Sequence, residues 1–320
     1  MAMQKRRLGN TGIEVSEIAF GCVEIGMPYG IGVEGPKDML SEKEAVELLN
    51  LAVDSGINFF DTARMYGNSE DIIGKAFKSR RHEVVLATKC VHLLDGQGKL
   101  PPKGKIKEII EQSLFDSLRT LQTDYVDLFM LHQATPEILD NEEILTTFTK
   151  LKKKGLFRAT GVSTYTTEVS RKTIDSGLWN MIQLPFNLMD QRQGELFKEA
   201  EEKGVGIVVR SVLLKGLLSD RGVNLHPALS KVEKHIANYK RLLEGCNYDL
   251  SSLATKFALS FPEVSAVLIG IDKKEYLEQA LKTVDGTYLG EEKLKTIREM
   301  AYPDPEFIDL PYWDKMNWLR

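Results

Sequence analysis

Asp61, Lys89 and His132 each stand at the C-terminal end of a short apolar run, and Tyr66 follows closely on the first. A charge at the end of a buried run is costly unless it is paired or used. An acid, an amine and an imidazole on successive runs are therefore expected to face one another. A free phenol titrates near ~10, too high for easy proton traffic at neutral pH, and a nearby ammonium favours the phenolate. Lys89 is placed to supply that ammonium, Asp61 to neutralise and hold it, and His132 to donate a hydrogen bond to a substrate oxygen. Together they suit proton delivery to, or removal from, an oxygen whose carbon gains or loses a hydride. General acid–base help of this kind is typically worth about 10²–10⁴-fold, and the hydride itself must come from a cofactor. Taken singly, a strand-end Asp is an ordinary cap and a lone His an ordinary core residue. The combination carries the chemical reading.

The elements that must position these groups alternate along nearly the whole chain. After a hairpin turning at Gly9-Asn10-Thr11-Gly12, strand-like runs are expected at residues 18–21, 58–61, 84–89, 125–131, 157–162, 181–184, 206–210 and 266–269. Helical patterns lie between them. Ser41-Glu42-Lys43-Glu44 has capping-box spacing and opens a helix presenting Ala45, Leu48, Leu49 and Ala52 on one face. Ile106, Ile109, Ile110, Leu114, Leu118 and Leu121 form another stripe, and Glu142-Glu143 begins a helix ending in the lysines at 150 and 152–154. That charge order suits the helix dipole, so the lysine run is expected to be a solvated last turn. The connection over residues 211–248 is expected to hold an extra loop and a helix at 229–243, before a helix at 251–261. Eight strand–helix units over about 250 residues predict an α/β fold of the (β/α)₈ TIM-barrel type, where chemistry sits at the C-terminal strand ends. No strand is followed by the G-x-G-x-x-G turn of a Rossmann sheet. With no linker or composition break, residues 1–320 are expected to form a single domain.

The hydrophobic share is 42% and the charged share 28%, which excludes wholesale disorder. Lys plus Arg is 42 against 46 Asp plus Glu, a net charge of −4 that argues against nucleic acid or a membrane as partner. No apolar run follows the basic start Met1–Asn10, and none approaches the ~20 residues that cross a bilayer. Cys22, Cys90 and Cys246 are odd in number and far apart, as expected of reduced thiols in a cytoplasmic protein. The histidines are scattered, so no metal site is expected.

The segment Asp61-Thr62-Ala63-Arg64-Met65-Tyr66-Gly67-Asn68-Ser69-Glu70, followed by Ile73-Gly74-Lys75-Ala76, resembles the signature of the aldo-keto reductases. Thr88-Lys89, Asp127 through His132, Gly161-Val162-Ser163 and Gln183-Leu184-Pro185-Phe186-Asn187 follow in that family's order, and the opening Leu8-Gly9-Asn10-Thr11-Gly12 with Phe20-Gly21-Cys22 is also similar. The resemblance spans residues 5–281. It implies a TIM barrel closed below by the N-terminal β-hairpin and a nicotinamide dinucleotide bound without a Rossmann fold. It implies Tyr66 as general acid/base, with Asp61, Lys89 and His132 completing a tetrad. Ser163 and Gln183 would hold the carboxamide, and the loop of Ser211, Leu213 and Lys215 would wrap the pyrophosphate. Ile269, Gly270, Asp272 and Gln279 would hold the adenosine half, with Gly21, Cys22 and Arg210 lining the same path.

Three departures from the family pattern stand out. Thr164 replaces an Asn after the fifth strand, and Arg210 stands where a tyrosine commonly stacks on the nicotinamide. After the last strand, Asp272 accompanies Lys273 and Lys274 where members preferring NADPH carry a basic cluster. Asp272 suits free ribose hydroxyls and the lysines suit a phosphate, so NADP(H) is favoured only slightly over NAD(H). The expected substrate is a small carbonyl compound or sugar, met by Val23, Tyr29, His92, Gln133 and Phe186 at the mouth. Two alternatives keep the barrel: an aldolase-type lyase with Lys89 as Schiff-base lysine, and a non-catalytic cofactor-sensing subunit. The aromatic, proline-punctuated tail after Glu299 is expected to be non-helical and to reach over the mouth.

Overall fold

In the computed structural model, which describes residues 3–319, the apolar runs become ten strands. They are β1 (Lys5–Arg7), β2 (Glu14–Ser16), β3 (Ile18–Gly21), β4 (Phe59–Asp61), β5 (Val85–Lys89), β6 (Val126–Leu131), β7 (Phe157–Ser163), β8 (Met181–Pro185), β9 (Gly206–Arg210) and β10 (Val264–Gly270). Met1 and Ala2 of the basic start, and Arg320 at the end of the tail, lie outside the described residues. Strands β3 to β10 close into an eight-stranded parallel barrel, and β1 and β2 form a separate antiparallel hairpin. Strand ends differ from the expected ones by a residue or two, as hydrogen-bond boundaries usually do.

Continuous apolar strands such as β6 are buried along their length because helices cover the outside and side chains fill the inside. The interior holds Ala19, Phe59, Val85, Ala87, Leu128, Met130, Ala159, Met181, Val208 and Ala266, closed from below by Leu8, Ile13 and Val15 of the hairpin. Arg6 pins the hairpin there. It donates to the carbonyls of Leu259, Phe261 and Val264 and pairs with the buried Glu17. Register brings the functional ends level: Gly21 lies beside both Asp61 and Gly270, and Lys89 beside Met130.

Helix Glu42–Asp54 opens with the expected capping box at Ser41 and Glu44. Helix Glu142–Lys153 ends with Lys150 and Lys153 exposed, whereas Lys152 is half-buried and donates to Asn180 Oδ1 at 2.8 Å; the helix's Glu143 carboxylate also receives the backbone N–H groups of Gly104 and Lys107. The β9–β10 connection contains helix Ser230–Arg241, followed by helix Leu250–Leu259. The tail departs from expectation. Leu310–Lys315 is a helix, because Pro311 sits in its first turn, where a missing N–H costs nothing, and Asp309 caps Tyr312.

Candidate active site

The closed barrel holds β4, β5 and β6 side by side, so Asp61, Lys89 and His132 converge at the mouth. Lys89 is fully buried and donates to the Asp61 carboxylate and to the Thr62 carbonyl at 3.0 Å. Gln183 Nε2, across the barrel on β8, donates to Asp61 Oδ2 at 2.8 Å. Tyr66 arrives from the loop after β4, its Oη 3.4 Å from His132 Nε2 and its ring centroid 5.0 Å from Lys89 Nζ. Two glycines let that loop approach. A Cβ on Gly26 would meet the Tyr66 carbonyl at 2.0 Å, and one on Gly67, at φ +55°, would meet the Gly26 carbonyl at 2.1 Å. Thr62 and Ser69 hydroxyls bond at 2.8 Å across the same turn. Buried Glu70 takes Thr88 Oγ1 at 2.6 Å and the Arg64 guanidinium, fixing the loop to β5.

These surroundings set protonation. Burial, then the Asp61 charge, push the Tyr66 phenol well above its ordinary value. The expected ammonium effect is therefore not what dominates here: Lys89 is committed to Asp61 and meets the face of the Tyr66 ring rather than its oxygen. Burial, then the charges of Lys89, His92 and Arg210, push His132 down to about 2, so its imidazole is neutral. His132 Nδ1 is buried without a partner.

A cavity of about 420 Å³ starts at Asp61, Tyr66 and His132 and runs along β3 and β10 under the loop after β9. Every residue assigned to the dinucleotide on the strength of the resemblance lines it, from Gly21, Cys22, Ser163, Gln183 and Arg210 to Ser211, Leu213 and Lys215, and on to Ile269, Gly270, Asp272 and Gln279. Val23 and Tyr29 line it too. Neither His92 nor Gln133 lines the cavity: the exposed His92 ring lies 4.9 Å from that of His132, and Gln133 is half-buried. Phe186 is a correction. It is buried against Phe197, Phe257 and Phe261 in the helix layer, because strand alternation turns it to the face opposite Gln183.

Arg210 lies 4.2 Å over the Tyr165 ring and donates to the Thr164 carbonyl at 2.8 Å and Ser211 Oγ at 3.1 Å, and its buried Nε has no partner. Thr164 itself bonds Ser170 Oγ at 2.7 Å, inside the wall. The far limb carries residues the sequence did not single out. Arg221 pairs with Asp272 at 3.4 Å, and Lys215 pairs with Asp314 of the tail helix and lies 4.5 Å from the Tyr29 ring. Leu310 and Pro311 also line the cavity, so the tail does reach it. Glu24, from helix Val23–Gly26, extends its carboxyl over Gly270. An acidic residue just past a strand end was the available signal for it. Lys215, Arg221 and Arg210, with bare glycines at two adjoining strand ends, fit an elongated anionic ligand such as a nicotinamide dinucleotide.

The family model described as "Aldo/keto reductase family" matches residues 17–301. An uncharacterized oxidoreductase of Bacillus subtilis is 30% identical over 94% of this chain and 98% of its own length. The L-galactose dehydrogenase of Arabidopsis thaliana is 27% identical over 94% of this chain and 95% of its own. The holo form of an aldo-keto reductase from Bacillus halodurans superposes with a TM-score of 0.77, at 31% identity, over 93% of this chain and 96% of its own.

Proposed function

The chain belongs to the aldo/keto reductase family, and from that premise we propose that it interconverts a carbonyl and its alcohol with a nicotinamide dinucleotide, using Tyr66 as general acid/base. The observation that carries the reading is the buried set of Asp61, Lys89 and Gln183 beneath Tyr66 and His132, at one end of a long cavity lined with cations at the other. The dinucleotide, held along Gly21, Ser163, Gln183, Arg210, Ser211, Gly270 and Asp272, supplies the hydride when bound.

The remaining chemistry belongs to the chain. A phenol pushed upward keeps its proton at neutral pH, so Tyr66 is a donor toward a carbonyl oxygen and suits reduction. Neutral His132 offers one ring N–H to the same oxygen while the other nitrogen stays bare. Lys89 and Asp61 hold the floor: a paired ammonium limits how much negative charge Tyr66 feels when its proton leaves. The guanidinium of Arg210, fixed by Thr164, Ser211 and Tyr165, would lie against the nicotinamide when the dinucleotide is bound.

The substrate is a polar aldehyde or sugar, met by Val23, Tyr29 and His92, and the similarity to a sugar dehydrogenase supports this choice. Lys273 and Arg221 both lie against the Tyr276 ring, at 5.7 and 5.2 Å, and two cations there favour NADP(H) slightly over NAD(H). We take residues 1–320 as one barrel domain working in the cytoplasm. Among the described residues no helix is long and apolar enough to cross a membrane. The aldolase reading loses ground because a Lys89 amine paired with Asp61 has no free lone pair for attack.

Titration with the oxidised and reduced forms of both dinucleotides tests the reading, followed by an aldehyde, ketone and aldose panel with the tighter one. Saturable binding with carbonyl-dependent oxidation of the reduced form is the expected result. Binding without turnover across the panel would favour a cofactor-sensing role instead, and a borohydride-trapped lysine adduct would favour the lyase.

A further inference from the structure

Among the described residues lining the far limb of the cavity, Glu24 is the charged group that forms no ion pair. The two cations nearest it are spoken for, Arg221 by Asp272 and Lys215 by Asp314. Its Oε2 is buried with no hydrogen-bond partner. Its Oε1 lies over Gly270, where a Cβ would come within 1.9 Å, so the bare strand end is what admits the carboxyl. Cys22, Tyr29 and Tyr66 are the other titratable groups close enough to feel it. An isolated carboxylate in such a place is disfavoured against its neutral acid.

We propose that Glu24 is a cofactor-binding residue that works as a neutral acid, donating a hydrogen bond to the anionic backbone of the dinucleotide, and that its ionisation opposes binding. This rests on the functional reading above. The dinucleotide carries negative charge into the limb that already holds the Asp272 carboxylate, and a second carboxylate there would repel both. The protonated acid instead gains the partner it lacks. Burial raises Glu24 to about 8, with the Asp272 charge adding to it and a hydrogen bond from the residue's own backbone N–H and the charges of Arg221 and Lys215 opposing it. Burial and neighbouring carboxylates raise Cys22 and burial raises Tyr29, so neither accounts for a transition near that pH.

The sign follows from linkage. Binding is strong where Glu24 is protonated, and it weakens by about tenfold per pH unit once the pH passes the free protein's ionisation. The test is the Kd for reduced dinucleotide, read from nicotinamide fluorescence at pH 7 and pH 9. The wild type is expected to bind about tenfold more weakly at pH 9, and Glu24→Gln about equally at both. Calorimetry at pH 8.5, in buffers differing in ionisation heat, should show proton uptake on binding by the wild type and none by Glu24→Gln. Asp272→Asn, which removes the neighbouring carboxylate, should move the wild-type transition to lower pH.

A wild-type Kd unchanged between the two pH values would overturn the proposal, as would a Glu24→Gln protein that shows the same drop. Failure of every dinucleotide to bind at pH 7 would be a different result, defeating the functional reading itself.

Discussion

The two ends of the cavity handle charge in opposite ways. At the Tyr66 end Lys89, Asp61 and Gln183 are buried, sit on strands of one closed barrel, and satisfy one another. At the far limb the ion pairs join one loop to another or to the tail; Arg221, Asp272 and Lys215 are part-buried, and Asp314 keeps 44% of its side chain exposed. Breaking a buried pair from one side typically costs about 3–5 kcal/mol, whereas an exposed pair is worth about 0–1 kcal/mol. The first set is therefore held more firmly than the second, in which one partner reaches solvent. A barrel scaffold carries its binding residues on loops beyond the strand ends in this way.

The largest expected effect tests the rigid end. Tyr66→Phe should lower turnover by ~10²-fold or more while leaving dinucleotide affinity within about twofold, since only the proton relay is removed. Turnover near the wild-type rate on an authentic substrate would sink that assignment. Lys89→Met should be as damaging to turnover. It should also lower stability by about 3–5 kcal/mol in denaturant, because Asp61 is left buried without its cation. Its pH–rate profile should lose or shift a limb, and a profile that overlays the wild type would separate Lys89 from Tyr66.

A smaller effect is expected where the two ends meet. The oxidised nicotinamide is positive and the reduced one neutral, so Arg210 should penalise the oxidised form alone. Two like charges ~4 Å apart at an effective dielectric near 20 repel by up to about 4 kcal/mol, an upper bound that solvent reduces. Arg210→Tyr should tighten the oxidised cofactor relative to the reduced one. An unchanged ratio of the two dissociation constants places the guanidinium elsewhere.

The smallest effect belongs to the far limb. Asp314→Asn releases Lys215 and should speed dinucleotide dissociation by about two- to fivefold, the scale of an exposed pair. Dissociation at the wild-type rate would show that the pair does not restrain the loop. Deleting residues 307–320 should raise KM for substrate more than Kd for cofactor. However, Trp313 within that stretch is fully buried, so the point variant is the cleaner probe.

The same division explains what could be read in the sequence. Asp61, Lys89 and His132 stood out because strand period and barrel topology alone place them at one mouth. The hairpin and the capping box at Ser41 are local devices and were equally legible. The link from Gln183 to Asp61 was hidden, since it spans the barrel between distant strands. Arg221 and Asp314 depend on how separate loops fold toward one another, which no local pattern encodes, and Glu24 is marked only by its place just past a strand end. Phe186 lies near a strand end, but its face turns it into the helix layer. Pro303 and Pro305 point to a non-helical tail, yet a helix follows them, because Pro311 falls in its first turn, which accommodates it.

The most direct measurement of the central claim follows the hydride. With reduced dinucleotide deuterated at the transferring position and a substrate found in the carbonyl panel, mass spectrometry of the product locates the label. The account predicts one deuterium on the former carbonyl carbon for the wild type, and label transfer at least ~10²-fold slower for Tyr66→Phe. Product formed without the label, or label transferred equally fast by Tyr66→Phe, would contradict it.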